Sequence, residues 1–80
     1  MRERQFKNVV GERVNVARKR SKPPLTQDAL SGKLAALGIQ LDRAAIAKIE
    51  NGHRRVYDFE ISGLAKALNV RVAWLLGEER

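Results

Sequence analysis

The segment from Asp42 to Gly52 carries small and basic residues at helical spacing between a start signal and a stop signal. Asp42 can accept hydrogen bonds from the first unpaired backbone N–H groups of a helix, and Gly52 is suited to ending one. Ile46 and Ile49 are three residues apart and predict the inward face. Alanines let a helix backbone approach closely, and cations reach guanine or phosphate acceptors, so the outer face has the chemistry that reading the DNA major groove requires. That face consists of Arg43, Ala44, Ala45, Ala47 and Lys48.

Two further helices are predicted before this segment. Apolar residues at positions 10, 14 and 17 predict a first helix from about Asn8 to Arg20, which Pro23 and Pro24 terminate. Thr26 can cap a second helix, and Gly38 is expected to end it. Residues 39–41 are predicted to form a short turn with apolar anchors that leads to Asp42. The predicted apolar face of the second helix consists of Leu30, Leu34 and Leu37.

The C-terminal third of the chain predicts one longer helix and one short one. Asp58 can cap the fourth helix, and Asn69 is a suitable left-handed stop. Residues 72–76 predict a last helical turn or two. No window alternates with a period of two, so the predicted fold class is all-α. One face of the fourth helix holds Ile61, Leu64, Ala65 and Leu68.

Composition restricts the class of protein. Eighty residues make one small domain, for which we expect a basic N-terminal arm at 1–7, a core at 8–77 and a tail at 78–80. The chain has no cysteine and no apolar run near 18 residues, and its first residues do not form a secretory signal. We therefore expect a cytoplasmic, nucleoid-associated protein that does not enter membranes.

The net charge of +7 indicates a polyanionic partner, either nucleic acid or an acidic membrane. The charge is uneven, because residues 1–22 hold much of the excess and His53-Arg54-Arg55 forms a second cluster. Basic runs are also commonly just solvated surface, so charge alone does not decide between these interpretations.

Four stretches together resemble the phage-repressor helix-turn-helix family, of Cro/cI-like, XRE type. The resemblance implies a compact five-helix, lambda-repressor-like fold in which the second and third helices form the helix-turn-helix. It also implies that residues 42–50 are the recognition helix. The four stretches are Leu25-Thr26-Gln27, Ile46 to Gly52, Leu64 to Val70, and Trp74 to Gly77.

Residue chemistry and position predict the roles of Arg43, Lys48, Arg54 and Arg55, and the resemblance implies those of the other residues named here. Arg43, Ala44 and Lys48 are expected to contact bases, Lys48 contacting either a base or phosphate. Arg18 and Glu50 match a family ion pair that clamps the recognition helix to the rest of the domain. Phosphate contacts are expected from Gln27, which also supports the recognition helix, and from Asn51, Arg54 and Arg55.

Two departures from the family pattern concern the links between helices. The connection from Leu34 to Ile46 is longer than usual, so either the second helix is extended or the turn carries an insertion. Ser21 to Pro24 replaces the usual short glycine-containing link, so DNA contacts from that loop cannot be transferred.

The expected function is a sequence-specific regulator, most simply a repressor that binds double-stranded DNA at a palindromic operator as a homodimer. The alternative is an antitoxin or co-regulator that chiefly binds a partner protein, with residues 72–76 as a docking site. Catalysis is not expected, because one histidine and no cysteine supply no catalytic set. No metal, cofactor or small-molecule ligand is expected. RNA binding lacks aromatic stacking platforms, and membrane binding lacks a spare amphipathic helix.

Overall fold

The computed structural model describes residues 6–80 and contains five helices within that range. The helices are α1 (Gly11–Arg20), α2 (Gln27–Ala36), α3 (Arg43–Glu50), α4 (Asp58–Leu68) and α5 (Val72–Leu75). The part of the chain that the structure describes has no strand, and the all-α prediction is confirmed. None of these helices is long and apolar enough to span a membrane.

Most of the predicted helix boundaries are confirmed, because the predicted capping and stop residues adopt their expected hydrogen bonds and backbone conformations. The Thr26 hydroxyl accepts a hydrogen bond from the Ala29 N–H at 3.0 Å, and Asp42 Oδ1 accepts one from the Ala45 N–H at 2.8 Å. Gly38 follows α2 with φ 82°, a left-handed conformation that glycine adopts without steric cost. Asn69 ends α4 in the same region, with φ 57°.

Two predicted helix starts are wrong. The first helix begins at Gly11 rather than Asn8, because Asn8 Oδ1 accepts the Gly11 N–H at 2.7 Å and so lies before the helix. Asp58 is the first residue of α4 and not its cap; Tyr57 precedes the helix. The Tyr57 N–H is satisfied by Glu60, whose Oε1 accepts it at 3.0 Å.

The core lies between all five helices. One residue predicted to belong to it does not. Leu30 and Leu34 are fully buried, but Leu37 is 47% exposed, contrary to the prediction. Since α2 ends at Ala36, Leu37 is its C-cap and no longer follows the helical stripe. Ile39 and Leu41 are buried in its place and anchor the connection over residues 37–42. The long link is thus a ten-residue α2 followed by an anchored turn.

The predicted arm and tail both contact the core where the structure describes them. Residues 1–5 of the arm lie outside the described residues. Lys7 donates its backbone N–H to the Gly52 carbonyl at 2.8 Å. At the other end, Arg13 Nη1 donates to the Glu79 carbonyl at 2.9 Å, so α1 holds the C-terminal segment.

Candidate nucleic-acid interface

The two faces of α3 differ in burial, but two residues predicted on the outer face, Ala45 and Ala47, are half-buried, and Ala45 packs against the core. Ile46 and Ile49 have no exposed surface and pack into the core against α1 and α2. Arg43, Ala44 and Lys48 are exposed on the other side. The eight-residue α3 therefore buries its apolar inner face and exposes an outer face of small and cationic residues.

Glu50, the last residue of α3, is held by donors from two other helices. Arg18 binds both carboxylate oxygens, with Nε at 2.8 Å from Oε2 and Nη2 at 2.9 Å from Oε1. Asn15 Nδ2 and Gln27 Nε2 also donate to Oε1, at 2.8 and 3.1 Å. Arg18 further donates to the Leu25 carbonyl at 2.9 Å. The structure therefore brings Arg18 and Glu50 together and adds two donors that the sequence reading did not pair with Glu50.

The electrostatics of this cluster favour the charged forms of both partners. Burial alone would raise the pKa of Glu50, but hydrogen bonds from Arg18, Asn15 and Gln27 outweigh it and hold that pKa below its usual value. The hydrogen bond to Glu50 raises the pKa of Arg18. Their side chains are only 12% and 5% exposed, so solvent screens the pair weakly.

Arg43 has a much weaker intramolecular contact. Its Nη1 lies 3.9 Å from Asp28 Oδ2, and the two side chains are 69% and 73% exposed. Exposed pairs of this kind contribute little, about 0–1 kcal/mol. The guanidinium is therefore available for another acceptor at small cost.

The loop that follows α3 holds one constrained arginine and one exposed arginine. Arg54 Nη1 and Nη2 bind the two oxygens of Glu60 at 2.9 and 3.2 Å, and Nη1 also donates to the Arg55 carbonyl at 2.7 Å. The hydrogen bond to Glu60 raises the pKa of Arg54. Burial would raise the pKa of Glu60, but Arg54 and the Tyr57 N–H lower it overall. Arg55 and Asn51, by contrast, are exposed.

A helix-turn-helix family model matches residues 25–75, more than half of the chain. The match runs from just before α2 to the end of α5 and so includes both predicted helices of the motif. The chain belongs to the Cro/cI-like, XRE-type helix-turn-helix family. It is a DNA-binding transcription regulator. Comparison with curated proteins gives no match.

In this helix-turn-helix domain, α2 and α3 are fixed to each other partly through Gln27. The residue is in the first turn of α2, is half-buried, and donates its amide to Glu50 at the end of α3. It therefore connects the start of one helix of the motif to the end of the other. Its contact with DNA phosphate stays a prediction, as do the predicted contacts of Asn51, Arg54 and Arg55.

Asn8 is a positioning residue of the domain that sequence reasoning missed. Its Nδ2 donates to the Ile49 carbonyl at 3.1 Å and to the Arg54 carbonyl at 2.8 Å, while its Oδ1 accepts from the start of α1. One side chain thus connects α1, the end of α3 and the loop after it. The capping preference of asparagine could have placed it ahead of α1, but no local pattern indicates the two long-range contacts.

Gly11 lets α1 approach the end of α3 closely. A Cβ at this position would collide with the Ile49 carbonyl oxygen, a backbone atom that cannot move aside cheaply. Any larger residue would push α1 away from α3. The same approach brings Asn8 within reach of Ile49, so glycine here supports the whole connection.

Proposed function

We propose that this regulator is a repressor that binds a palindromic operator as a homodimer, with α3 of each protomer in the major groove. The observation that carries the proposal is the contrast between the two faces of α3. Its inner face is buried and its last residue, Glu50, is held by Arg18, Asn15 and Gln27. Its outer face is exposed and has only the weak Arg43–Asp28 contact within the described residues. A reading helix needs this combination of fixed orientation and unoccupied hydrogen-bonding groups.

In the proposed complex, Arg43 and Lys48 contact base edges and Ala44 lies against a thymine methyl group. Gln27, Asn51, Arg54 and Arg55 hold phosphates on either side of the helix. Arg55 is the strongest phosphate candidate of the loop because it is exposed, whereas Arg54 is partly engaged with Glu60.

Pairing of two protomers is proposed to use the surface around α5. Val72 is 41% exposed there, while Leu75 is fully buried and Trp74 is half-buried. Two recognition helices related by a two-fold axis would lie about 34 Å apart, one turn of DNA. An operator with two inverted half-sites follows from that geometry.

The test is selection from a randomised duplex library at about 150 mM salt, followed by titration of the enriched site against scrambled DNA. We expect an inverted-repeat consensus bound at least about a thousandfold more tightly than scrambled DNA, with two protomers per site. A consensus without two-fold symmetry would contradict the dimer. Equal affinity for both DNAs would contradict sequence-specific reading.

A further inference from the structure

The domain has a groove of about 670 Å³ on a surface separate from the predicted DNA contacts. The groove lies between the end of α1, the link that follows it, and the segment from the end of α4 to α5. None of the residues predicted to contact bases or phosphates lines it, and neither does Val72. Occupation of the groove therefore does not compete directly with the predicted DNA contacts, whereas Trp74 belongs both to the groove and to the proposed pairing surface around α5.

Three half-buried apolar side chains form one part of the groove wall: Leu25, Val70 and Trp74. Trp74 is fixed by Arg13, whose guanidinium carbon lies 4.8 Å from the ring centroid and whose Nη1 donates to the Trp74 carbonyl at 2.9 Å. Arg13 itself does not line the groove. The wall is therefore preformed, which lowers the entropic cost of binding against it.

Cationic residues from three parts of the chain also line the groove. Arg20 and Lys22 come from the end of α1 and its link, Lys33 from the last turn of α2, and Arg71 from the turn before α5. Glu79 is the one acidic residue lining the groove, and it pairs with Arg71. Among the described residues, Arg20, Lys22 and Lys33 have no salt-bridge partner.

We propose that this groove binds an acidic peptide segment of a partner protein, with one apolar or aromatic side chain against Trp74 and carboxylates against the surrounding cations. The charge complementarity selects an anionic occupant. The apolar wall selects a peptide over duplex DNA, whose outer surface offers phosphates but no apolar anchor at the same spacing.

The chain carries its own reporter for the test, because Trp74 is its single tryptophan. The probe is a labelled peptide of about ten residues in which Asp and Glu flank one Leu and one Phe. Two comparison peptides replace either the acids by Asn and Gln or the apolar residues by Ser. Binding to the full 80-residue chain is followed by anisotropy and by Trp74 emission at about 150 mM salt.

The matched variants are Lys33→Glu and Lys66→Glu. Both lysines are exposed and lie in the last turn of a helix, but only Lys33 lines the groove. We expect the acidic peptide to shift Trp74 emission, Lys33→Glu to weaken its binding about tenfold, and Lys66→Glu to leave it nearly unchanged. Both comparison peptides should bind at least about tenfold more weakly.

Three outcomes would overturn the proposal. Equal weakening by Lys33→Glu and Lys66→Glu would mean that the peptide senses only net charge. Unchanged Trp74 emission on saturation would place the peptide elsewhere. Displacement of the peptide by random duplex DNA that itself shifts Trp74 emission would make the groove a phosphate-binding surface instead. These readouts do not depend on the operator, so they fail or succeed independently of the proposed repressor function.

Discussion

The two faces of the short helix α3 differ in how strongly they are bound to the rest of the domain. On the inner side, Glu50 accepts four hydrogen bonds from α1 and α2, and all of them are between 2.8 and 3.1 Å. On the outer side, Arg43 reaches only Asp28, at 3.9 Å. The inner face fixes the orientation of α3, and the outer face is the one proposed to contact DNA. Substitutions on the inner side should therefore alter stability, and substitutions on the outer side should alter DNA selectivity.

The largest effect should come from breaking the inner-face cluster with Arg18→Ala. The pair is nearly buried, so its loss leaves Glu50 without its cationic partner and should lower the free energy of unfolding by about 3–5 kcal/mol. Urea unfolding followed by circular dichroism measures this. Lys19→Ala, at an exposed neighbour on α1, is the control and should change stability by less than about 0.5 kcal/mol. A loss below about 1 kcal/mol for Arg18→Ala would show that the cluster does not hold α3.

Acid should weaken the same cluster by a smaller amount. Glu50 has a lowered pKa in the folded domain, so its contribution is complete above the pKa of the unfolded chain and is lost as pH falls through the folded value. Glu60 follows the same direction. Unfolding midpoints should be steady near neutral pH and should decline on acidification. Glu50→Gln should reduce that decline, and an identical pH dependence in this variant would assign the acid sensitivity to other groups.

Asn8 tests whether the end of α3 is also fixed from the N-terminal side. Asn8→Asp keeps an oxygen that can accept the Gly11 N–H but removes both donations, to the Ile49 and Arg54 carbonyls. We expect a stability loss of about 1–3 kcal/mol, because two carbonyls lose their donor and face a carboxylate. Asn8→Ser, which also keeps an acceptor for the cap without adding charge, separates the lost bonds from repulsion. Wild-type stability in both variants would contradict the role of Asn8.

Sequence reasoning succeeded where the signals were local. Thr26 and Asp42 cap helices through their own side chains, and Gly38 and Asn69 stop helices through their own backbone conformation. Each of these effects is decided within a few residues of the chain. The Arg18–Glu50 contact was a different case, because it came from the family resemblance and not from a local pattern.

The errors arose where distant contacts replaced a local preference. Leu37 fits the helical period of α2, but the helix ends one residue earlier and Ile39 takes the core position. Asn8 was predicted as the start of α1, yet it precedes the helix and its amide binds residues more than 40 positions away. The pairing of Arg54 with Glu60 likewise depends on how the loop closes on α4. Hydrophobic periodicity describes one helix at a time, so it cannot predict contacts between residues that are distant in the chain.

The outer face should respond differently, and Arg43→Ala is the direct test. Removal of an exposed side chain should leave stability within about 0.5 kcal/mol of the parent, because the Asp28 contact is weak. Affinity for the selected operator should fall by about 1–3 kcal/mol and selectivity should relax at one base pair. Lys66→Ala, at an exposed site outside the interface, is the matched control. Equal losses of affinity for operator and random DNA would show that Arg43 contacts phosphate and not a base.

The loop after α3 should show both kinds of effect, because Arg54 is expected to affect stability and the adjacent Arg55 is expected to affect DNA binding. Arg54→Ala removes a pair with Glu60 in which Arg54 is 29% exposed, against 12% for Arg18, so it should cost less than Arg18→Ala, about 1–2 kcal/mol of stability. Arg55→Ala should leave stability unchanged. On any DNA sequence, it should weaken binding and flatten the dependence of log affinity on log salt by about one unit.

Measuring both variants for unfolding and for salt-dependent DNA binding separates the two roles. If Arg54→Ala alone flattens the salt dependence, the pair with Glu60 opens on DNA and Arg54 is the phosphate contact. If neither variant changes the salt dependence, the loop does not reach the backbone, and the phosphate contacts must come from Gln27, Asn51 or the start of α2. If Arg55→Ala alone changes the salt dependence, the loop repeats the division seen on α3. Arg54 then supports the fold through Glu60, and Arg55 contacts the DNA backbone.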